Sequence, residues 1–534
     1  MNTWPDKITR RNILTALALF TLHSVTVYQF GIRGPDFGMV YMFKPAFDMA
    51  RGFSLFSETF TVYGALTTYI HFFFIKLFGE SVHSLVLAAS LFYGLNAILL
   101  YAIFARYFPC WINVIANFLV LALAPFYFWP FLAWSSVYAN TFALLSVLCF
   151  VNSNKKYYRL FAAGFFASLS FWCRQPVGIL LSGSYVFLMA LDAIRPTKDL
   201  QFFLAGPIAY FIGFLFPSSL FFLTLWQQNS INDWYLQSIV HAKVWALIYG
   251  GNTTKVLTSL FQLFAGDSCN GFGVGIKSLL WRFLAVSNLC IFTVSLINRF
   301  FQKSIFFNKH NQFLLTISCV NLALWHQYYP VPCMRHTYWA SILMVAPLLY
   351  ALSLVASILA QYFPGPHKKK AAFVLSICLI ALTFSYDLYK RIDAGIKKAS
   401  YHYNNTETPF FLKGIKTDNQ FEQMIAISHL LESYMQQNKK VLIVSFGRQW
   451  FNFLQSYMDS QAVRKAPTRA LFVNWNSSEN RDVYPTWWKE LTKIVRENHP
   501  IIIAYAPLYT PPSPEKYEGH TFGEIKVYLP VSGN

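Results

Sequence analysis

Charge is scarce in this chain. Asp, Glu, Lys and Arg make up only 12% of its 534 residues, about half the share usual in soluble domains. Hydrophobic residues reach 55% and mean hydropathy is +0.38, so lipid must solvate most of the chain. Acid is scarcer than base, with 23 Asp+Glu against 43 Lys+Arg and a net charge of +20. In a soluble protein that excess would point to nucleic acid. Here the cations fill short gaps between apolar runs, the pattern of cation-rich cytoplasmic loops, and no nucleic-acid partner is expected. Cysteine is limited to eight residues with no CxxC and no Cys/His metal spacing. Cys149, Cys290, Cys319 and Cys378 fall inside apolar runs and read as small packing residues, while Cys269 and Cys333 fall in loops and leave a disulfide open. The polar C-terminal portion contains neither GxGxxG nor a P-loop, which argues against a nucleotide site there.

Long apolar runs are present throughout. Lys7, Arg10 and Arg11 precede the first, at 13–30, in the manner of a secretion signal. No small-residue cleavage site follows and the run is long enough to span, so a retained first helix is expected. Further windows lie near 83–105, 112–130, 137–152, 160–173, 177–192, 200–226, 283–298, 312–329, 338–361 and 371–388, giving about eleven transmembrane helices. With a cytoplasmic N-terminus, the inner gaps carry Arg106, Lys155/Lys156/Arg159, Arg195/Lys198, Arg299/Lys303/Lys309 and Lys368/Lys369/Lys370. Each is basic, and an odd number of spans puts the C-terminal portion outside. The apolar stretch 63–78 is broken by His71 and Lys76, and counting it as a span would move the Lys155 and Lys368 clusters outside. It is therefore expected to be a re-entrant or interfacial helix. Residues 227–282 form a long outer loop with amphipathic pieces near 233–249 and 255–264.

Past Tyr389 the composition turns polar. Helical patterns near 418–437, 449–460 and 486–498 alternate with strand-like runs near 441–446, 470–474 and 501–505. That alternation predicts an extramembrane α/β domain with a parallel sheet over 390–534, after a membrane domain over 1–389.

The first outer loop, 31–82, breaks the charge pattern, because Arg33, Lys44, Arg51 and Lys76 all lie in it. Short outer loops avoid cations, so an anionic partner is expected. Asp36 follows Gly34-Pro35 in a turn, where a carboxylate can take a proton from a hydroxyl or simply shape the turn. Pro45 suits the first turn of a short helix and Gly52 its end. Asp48 and Arg51, three apart, share a face of it, which also fits a solvated intrahelical pair. Arg174 and Gln175, in Cys173-Arg174-Gln175-Pro176, sit at the outer tip between two spans. The guanidinium fork matches phosphate oxygens; a snorkelling Arg is the alternative. His326-Gln327-Tyr328-Tyr329-Pro330, with Arg335-His336 beyond, is a third outer segment, able to neutralise phosphate or to anchor at the interface. One acid and several phosphate-competent cations thus share one membrane face.

The stretch GPDFGMVYMFKPAFDMARG followed by TVYGALTTYIHFFFIKLFGES resembles the GT-C class of polytopic glycosyltransferases, the group containing protein O-mannosyltransferases and lipid A aminoarabinose transferases. In that class an acid follows the first span, then a Tyr (Tyr41), a short helix ending in Gly, a YG-x-L segment (Tyr63) and an LFG close. The resemblance extends to CRQPVG, to YYPVPCMRHTYW and to the extramembrane C-terminal domain. It implies inverting transfer of a sugar from a polyprenyl-phosphate donor to a hydroxyl of a glycolipid, polysaccharide or protein outside the membrane, with Asp36 as base. Lys44, Arg51, Arg174, Gln175, Arg335 and His336 would hold the donor phosphate, and Tyr41, Asp48, Glu58, Tyr63 and Asp233 would support them. Two departures stand out: Asp36 is followed by Phe37 rather than a second acid, and 134–138 carries no carboxylate. A lone acid is a poor divalent site, so neither metal nor cofactor is expected. A bacterial inner membrane is the expected location. The competing readings are a transporter or flippase of lipid-linked glycans, which would bury charge at mid-membrane, and an inactive scaffold.

Overall fold

A computed structural model describes residues 10–33, 40–59, 61, 63–127, 131–153, 156–193, 200–240, 279–301, 310–328, 334–362, 368–400, 426–427, 429–430, 443–446, 501–505, 514–522 and 525–531. The protein is a polytopic α-helical membrane protein with a small C-terminal sheet. Helix α1 (Arg10–Gly31) buries Leu19, His23, Val27 and Gly31. Their four-residue spacing makes one narrow stripe, which packs on α4 (Val82–Phe104). The latter is buried on nearly every side, as a helix apolar all round should be. Between them in sequence lie α2 (Val40–Ala50) and α3 (Ala65–Phe78). Next come α5 (Cys110–Ala122), α6 (Ser135–Val151), α7 (Tyr157–Cys173), α8 (Gln175–Ala193), α9 (Leu200–Gln227) and the short α10 (Ile231–Tyr235). The described helices of the membrane part end with α11 (Leu279–Phe301), α12 (Asn311–Leu324), α13 (Met334–Ser341), α14 (Val345–Leu359) and α15 (Lys368–Ala399).

Each expected apolar window carries a helix, yet among the described residues seven helices are long and apolar enough to cross a membrane, or eight if the bent α15 counts. The difference lies in the middle of the chain. Helix α12 has 14 residues and α6 and α7 have 17 each, roughly 21–26 Å against a hydrocarbon core of about 30 Å. Helix α3, also 14 residues, is too short to span alone, as its His71 and Lys76 suggested.

Helices α7 and α9 meet backbone to backbone. A Cβ on Gly164 would come within 2.0 Å of the Tyr210 carbonyl oxygen, and one on Gly213 within 2.0 Å of the Phe161 carbonyl oxygen. Reciprocal small residues of this kind let membrane helices approach closely. Above that crossing the Ser168 and Ser218 hydroxyls lie 2.9 Å apart, and the Trp172 indole N–H donates to Ser218 Oγ at 3.2 Å. The crossing thereby fixes the tip of α7, where Arg174 follows.

Two local expectations need correction. Pro45 lies inside α2 rather than in its first turn, because the helix already begins at Val40. The sheet is mixed rather than parallel, in the order β1-β2-β4-β3. Strands β1 (Ile443–Phe446) and β2 (Ile501–Tyr505) pair in parallel, as their spacing predicted, but β4 (Ile525–Pro530) runs antiparallel to both β2 and β3 (Tyr517–Phe522). The helices expected near 449–460 and 486–498 and the strand near 470–474 lie outside the described residues.

Helix α15 runs through the composition change at residue 390 and bends by 48° between Tyr386 and Leu388. Its second half covers the turn Pro125–Tyr127: Lys398 Nζ donates to the Phe126 carbonyl oxygen at 2.9 Å, and Gly395 faces Tyr127 and Phe30. Arg391 and Lys398 are both buried there.

Candidate active site

The C-terminal ends of α1, α7 and α9 and the N-terminal ends of α3, α6 and α8 lie at one end of the bundle. Arg106, Arg159 and Arg299 lie at the other, Arg106 and Arg159 bonded to Asn152 and Arg299 paired with Asp192.

The first loop at the site end is tightly organised. Gly52, with φ of +93°, closes α2: its N–H reaches Met49 O at 3.0 Å and the Phe53 N–H reaches Asp48 O at 3.1 Å. This is the paired bonding of a Schellman ending, which favours glycine at that position. The Asp48 carboxylate accepts from Lys44 Nζ at 2.5 Å and from Thr59 Oγ1 at 2.9 Å, all on Oδ2. Its other oxygen, Oδ1, has no partner among the described residues. Lys44 and Asp48 are 1% and 2% exposed, so the intrahelical pair joins Asp48 to Lys44 rather than to Arg51. Arg51 instead reaches Glu80 at 2.8 Å and stacks over the Phe47 ring at 5.1 Å. Lys76 donates to the Ala50 carbonyl oxygen at 2.9 Å, capping the end of α2. Cations that seemed to need an anionic partner thus answer to the loop's own acids and carbonyls. Glu58 Oε2 accepts the Ser54 N–H at 2.6 Å and so shapes the turn.

Three segments then meet the one that carries Trp134 and Ser136. Tyr63 meets its ring edge-on at a centroid distance of 5.6 Å, and His336 meets it at 5.9 Å. Two residues on, Ser136 Oγ accepts a bond from Arg174 Nη1. Arg174 is half-buried and extended, ending α7 with its N–H on Ser170 O at 2.9 Å. Gln175 is buried, and its Nε2 has no partner among the described residues. The first loop is pinned to this tip, since the Gly64 N–H and the Thr67 hydroxyl both donate to Cys173 O at 3.2 Å.

Gly64 is where the contact is closest. A Cβ there would sit 2.0 Å from the Trp172 carbonyl oxygen, an atom that cannot rotate away. Gly64→Ala must push the first loop off the α7–α8 tip and is expected to cost about 1–3 kcal/mol. Thermal unfolding in detergent checks the stability loss, and activity should fall with it because Tyr63 moves as well.

Beneath Trp134 lies a buried amide relay. Gln327 Nε2 donates to Asn140 Oδ1 at 3.1 Å, and Asn140 Nδ2 donates to Trp339 O at 3.2 Å, joining α6 to the segment that carries His336. Deeper still, His71 Nε2 lies 2.7 Å from the Tyr138 hydroxyl.

The structure therefore brings together Tyr63, Arg174, Gln175 and His336, and puts Lys44 and Asp48 in one buried pair beside them in the first loop. Asp36 and the side chains of Tyr41 and Arg335 lie outside the described residues, although Asp36 belongs to the segment joining α1 to α2. Asp233 is half-buried on α10, whose Trp234 packs on Trp172 at 5.6 Å. Trp134 and Ser136 were missed by sequence reasoning; the absence of a carboxylate had made 134–138 look deficient. Among the described residues no group of three or more His, Cys, Asp and Glu is placed to hold a metal ion.

No protein-family profile matches the chain, and no curated protein sequence does. Solved structures do match. ArnT from Cupriavidus metallidurans bound to undecaprenyl phosphate aligns with a TM-score of 0.51 and 11% identity, covering 97% of this chain and 98% of that one. The apo state of the same protein aligns with a TM-score of 0.50 and 10% identity, covering 96% and 97%. The likeness runs from the first span through the C-terminal portion, so this chain shares the fold of ArnT.

Proposed function

We propose that the chain is a membrane glycosyltransferase that moves a sugar from a polyprenyl-phosphate donor to a hydroxyl of a glycolipid, polysaccharide or protein. The observation that carries this reading is the meeting of Tyr63, Arg174 and His336 around Trp134, in a fold shared over nearly its full length with a protein that binds undecaprenyl phosphate. Asp36, in the segment between α1 and α2, takes the proton of the acceptor hydroxyl. The freed oxygen attacks the anomeric carbon on the face opposite the phosphate, so configuration inverts. The bond from that carbon to the phosphate oxygen breaks, and its electron pair leaves with the lipid phosphate. Arg174, His336 and Arg335 are the groups whose charge and hydrogen bonds would stabilise that leaving group, most strongly where water is excluded. Lys44 and Arg51 serve the same end indirectly, by holding α2 and the loop after it. With the basic bundle end cytoplasmic, the site faces outward, in keeping with a bacterial inner membrane.

The test uses the purified full chain in detergent with polyprenyl-phosphate sugars, following release of free lipid phosphate. Asp36→Asn should lower release at least a hundredfold, within the range expected for loss of a general base, while thermal unfolding stays unchanged. Transfer that survives this substitution would remove Asp36 from the reaction; lipid binding without any release would point to a carrier.

A further inference from the structure

We infer that Gln237 is a positioning residue: it clamps the first loop in the conformation that presents Tyr63 to the site. The observation is a two-sided bond across the fold. Gln237 Nε2 donates to the Phe56 carbonyl oxygen at 2.7 Å, and its Oε1 accepts the Thr61 N–H at 3.1 Å. A side-chain amide carries a donor and an acceptor on separate atoms, so it can bond the backbone at two points of the loop at once.

The loop has need of such a clamp. Phe56 has φ of +69° and is fully buried. A bulky residue in the left-handed region costs about 1–3 kcal/mol and persists only where its surroundings over-determine it. Its carbonyl is the atom Gln237 engages. Gln237 itself is 2% exposed and sits in a single π-helical turn, Leu236–Val240, directly after α10. That turn is anchored in its own right: Trp234 packs on Trp172 at 5.6 Å and on Phe222 at 5.3 Å. The clamp therefore transmits the position of the α7 tip and of α9 to the loop ahead of Tyr63. Tyr63 lies two positions after Thr61, and its N–H bonds back to Thr61 Oγ1 at 3.3 Å. Fixing Thr61 fixes Tyr63, and through it one side of the Trp134 cluster.

This role rests on the proposed function only for its effect on turnover; the clamp is tested separately. Amide hydrogen exchange on the full chain in detergent reads the peptide containing Thr61. Gln237→Leu, close in size but without either bond, should raise exchange there about tenfold or more, with helices α4 and α9 unchanged. Gln237→Glu keeps the acceptor for Thr61 and loses the donor for Phe56, so its exchange should lie between the two. In the transfer assay Gln237→Leu should lower kcat about tenfold with donor KM within twofold, and Gln237→Glu should recover part of the loss. Unaltered exchange near Thr61 in a folded Gln237→Leu protein would overturn the clamp. A KM rise with kcat unchanged would overturn the positioning role. Raised exchange in Gln237→Leu, together with a wild-type protein that transfers nothing, would keep the clamp and remove the proposed function instead.

Discussion

Arg174→Lys is expected to lower kcat for sugar transfer about a hundredfold while leaving the unfolding temperature in detergent nearly unchanged. Lysine keeps the charge and most of the length, so simple charge balance predicts little effect. The guanidinium differs in shape: a planar fork can hold one oxygen of a protein group and two of a phosphate in fixed directions, whereas an ammonium acts as a point charge. Here one arm of the fork already lies on Ser136, beside Trp134. A lysine at 174 would have to choose between Ser136 and the departing phosphate. The loss should appear in kcat more than in donor KM, since the negative charge on the lipid phosphate grows as the glycosidic bond breaks. Steady-state kinetics with a polyprenyl-phosphate sugar decides it. A KM effect alone would mean that Arg174 grips the ground state, and no effect would place it with the interfacial anchors.

The second large effect concerns stability. Lys44→Met should destabilise the protein by about 3–5 kcal/mol, because it leaves the Asp48 carboxylate charged and buried with Thr59 as its remaining partner among the described residues. Asp48→Leu should also destabilise the protein, by removing the carboxylate that accepts from the buried ammonium. The informative protein is the double substitution. Buried ion pairs cost nearly as much in desolvation as they return in attraction, so replacing both partners with apolar groups of similar size removes most of the penalty. Lys44→Met with Asp48→Leu should therefore recover most of the lost stability, by denaturant or thermal unfolding in detergent. Activity should recover less, since Thr59 loses its acceptor and the loop toward Tyr63 loosens. Equal damage in single and double substitutions would show that the pair carries stability outright.

Some of this was legible in the sequence for definite reasons. The helices were, since long apolar runs with basic gaps admit few other readings. The Arg174 tip was, because an Arg-Gln pair followed by proline between two apolar runs has nowhere to go but a bundle end. Lys44–Asp48 has i,i+4 spacing, yet a helix starting at Pro45 leaves Lys44 outside it and Arg51 as the partner of Asp48 on its face. Trp134 was not legible: among 15 Trp, 31 Tyr and 54 Phe, one aromatic at the edge of a span carries no signal. Nor was Gln237, whose partners lie 181 and 176 residues away in sequence. In the β3–β4 hairpin, Gly519 lies inside β3, where a glycine weakens strand propensity.

Helix α15 has a practical meaning for anyone who wishes to divide the chain. Hydropathy suggests cutting at residue 390, between apolar and polar portions. Such a cut would fall three residues past the bend and discard Arg391 and Lys398, whose side chains seal the Pro125–Tyr127 turn from above. The remaining bundle would be left with a bare aromatic floor, Phe30, Phe126 and Tyr127, open to water. A severed membrane portion that aggregates would then say nothing about what the sheet contributes. Proteolysis or truncation that begins beyond Ser400 leaves that seal in place, and only such a cut asks the question cleanly.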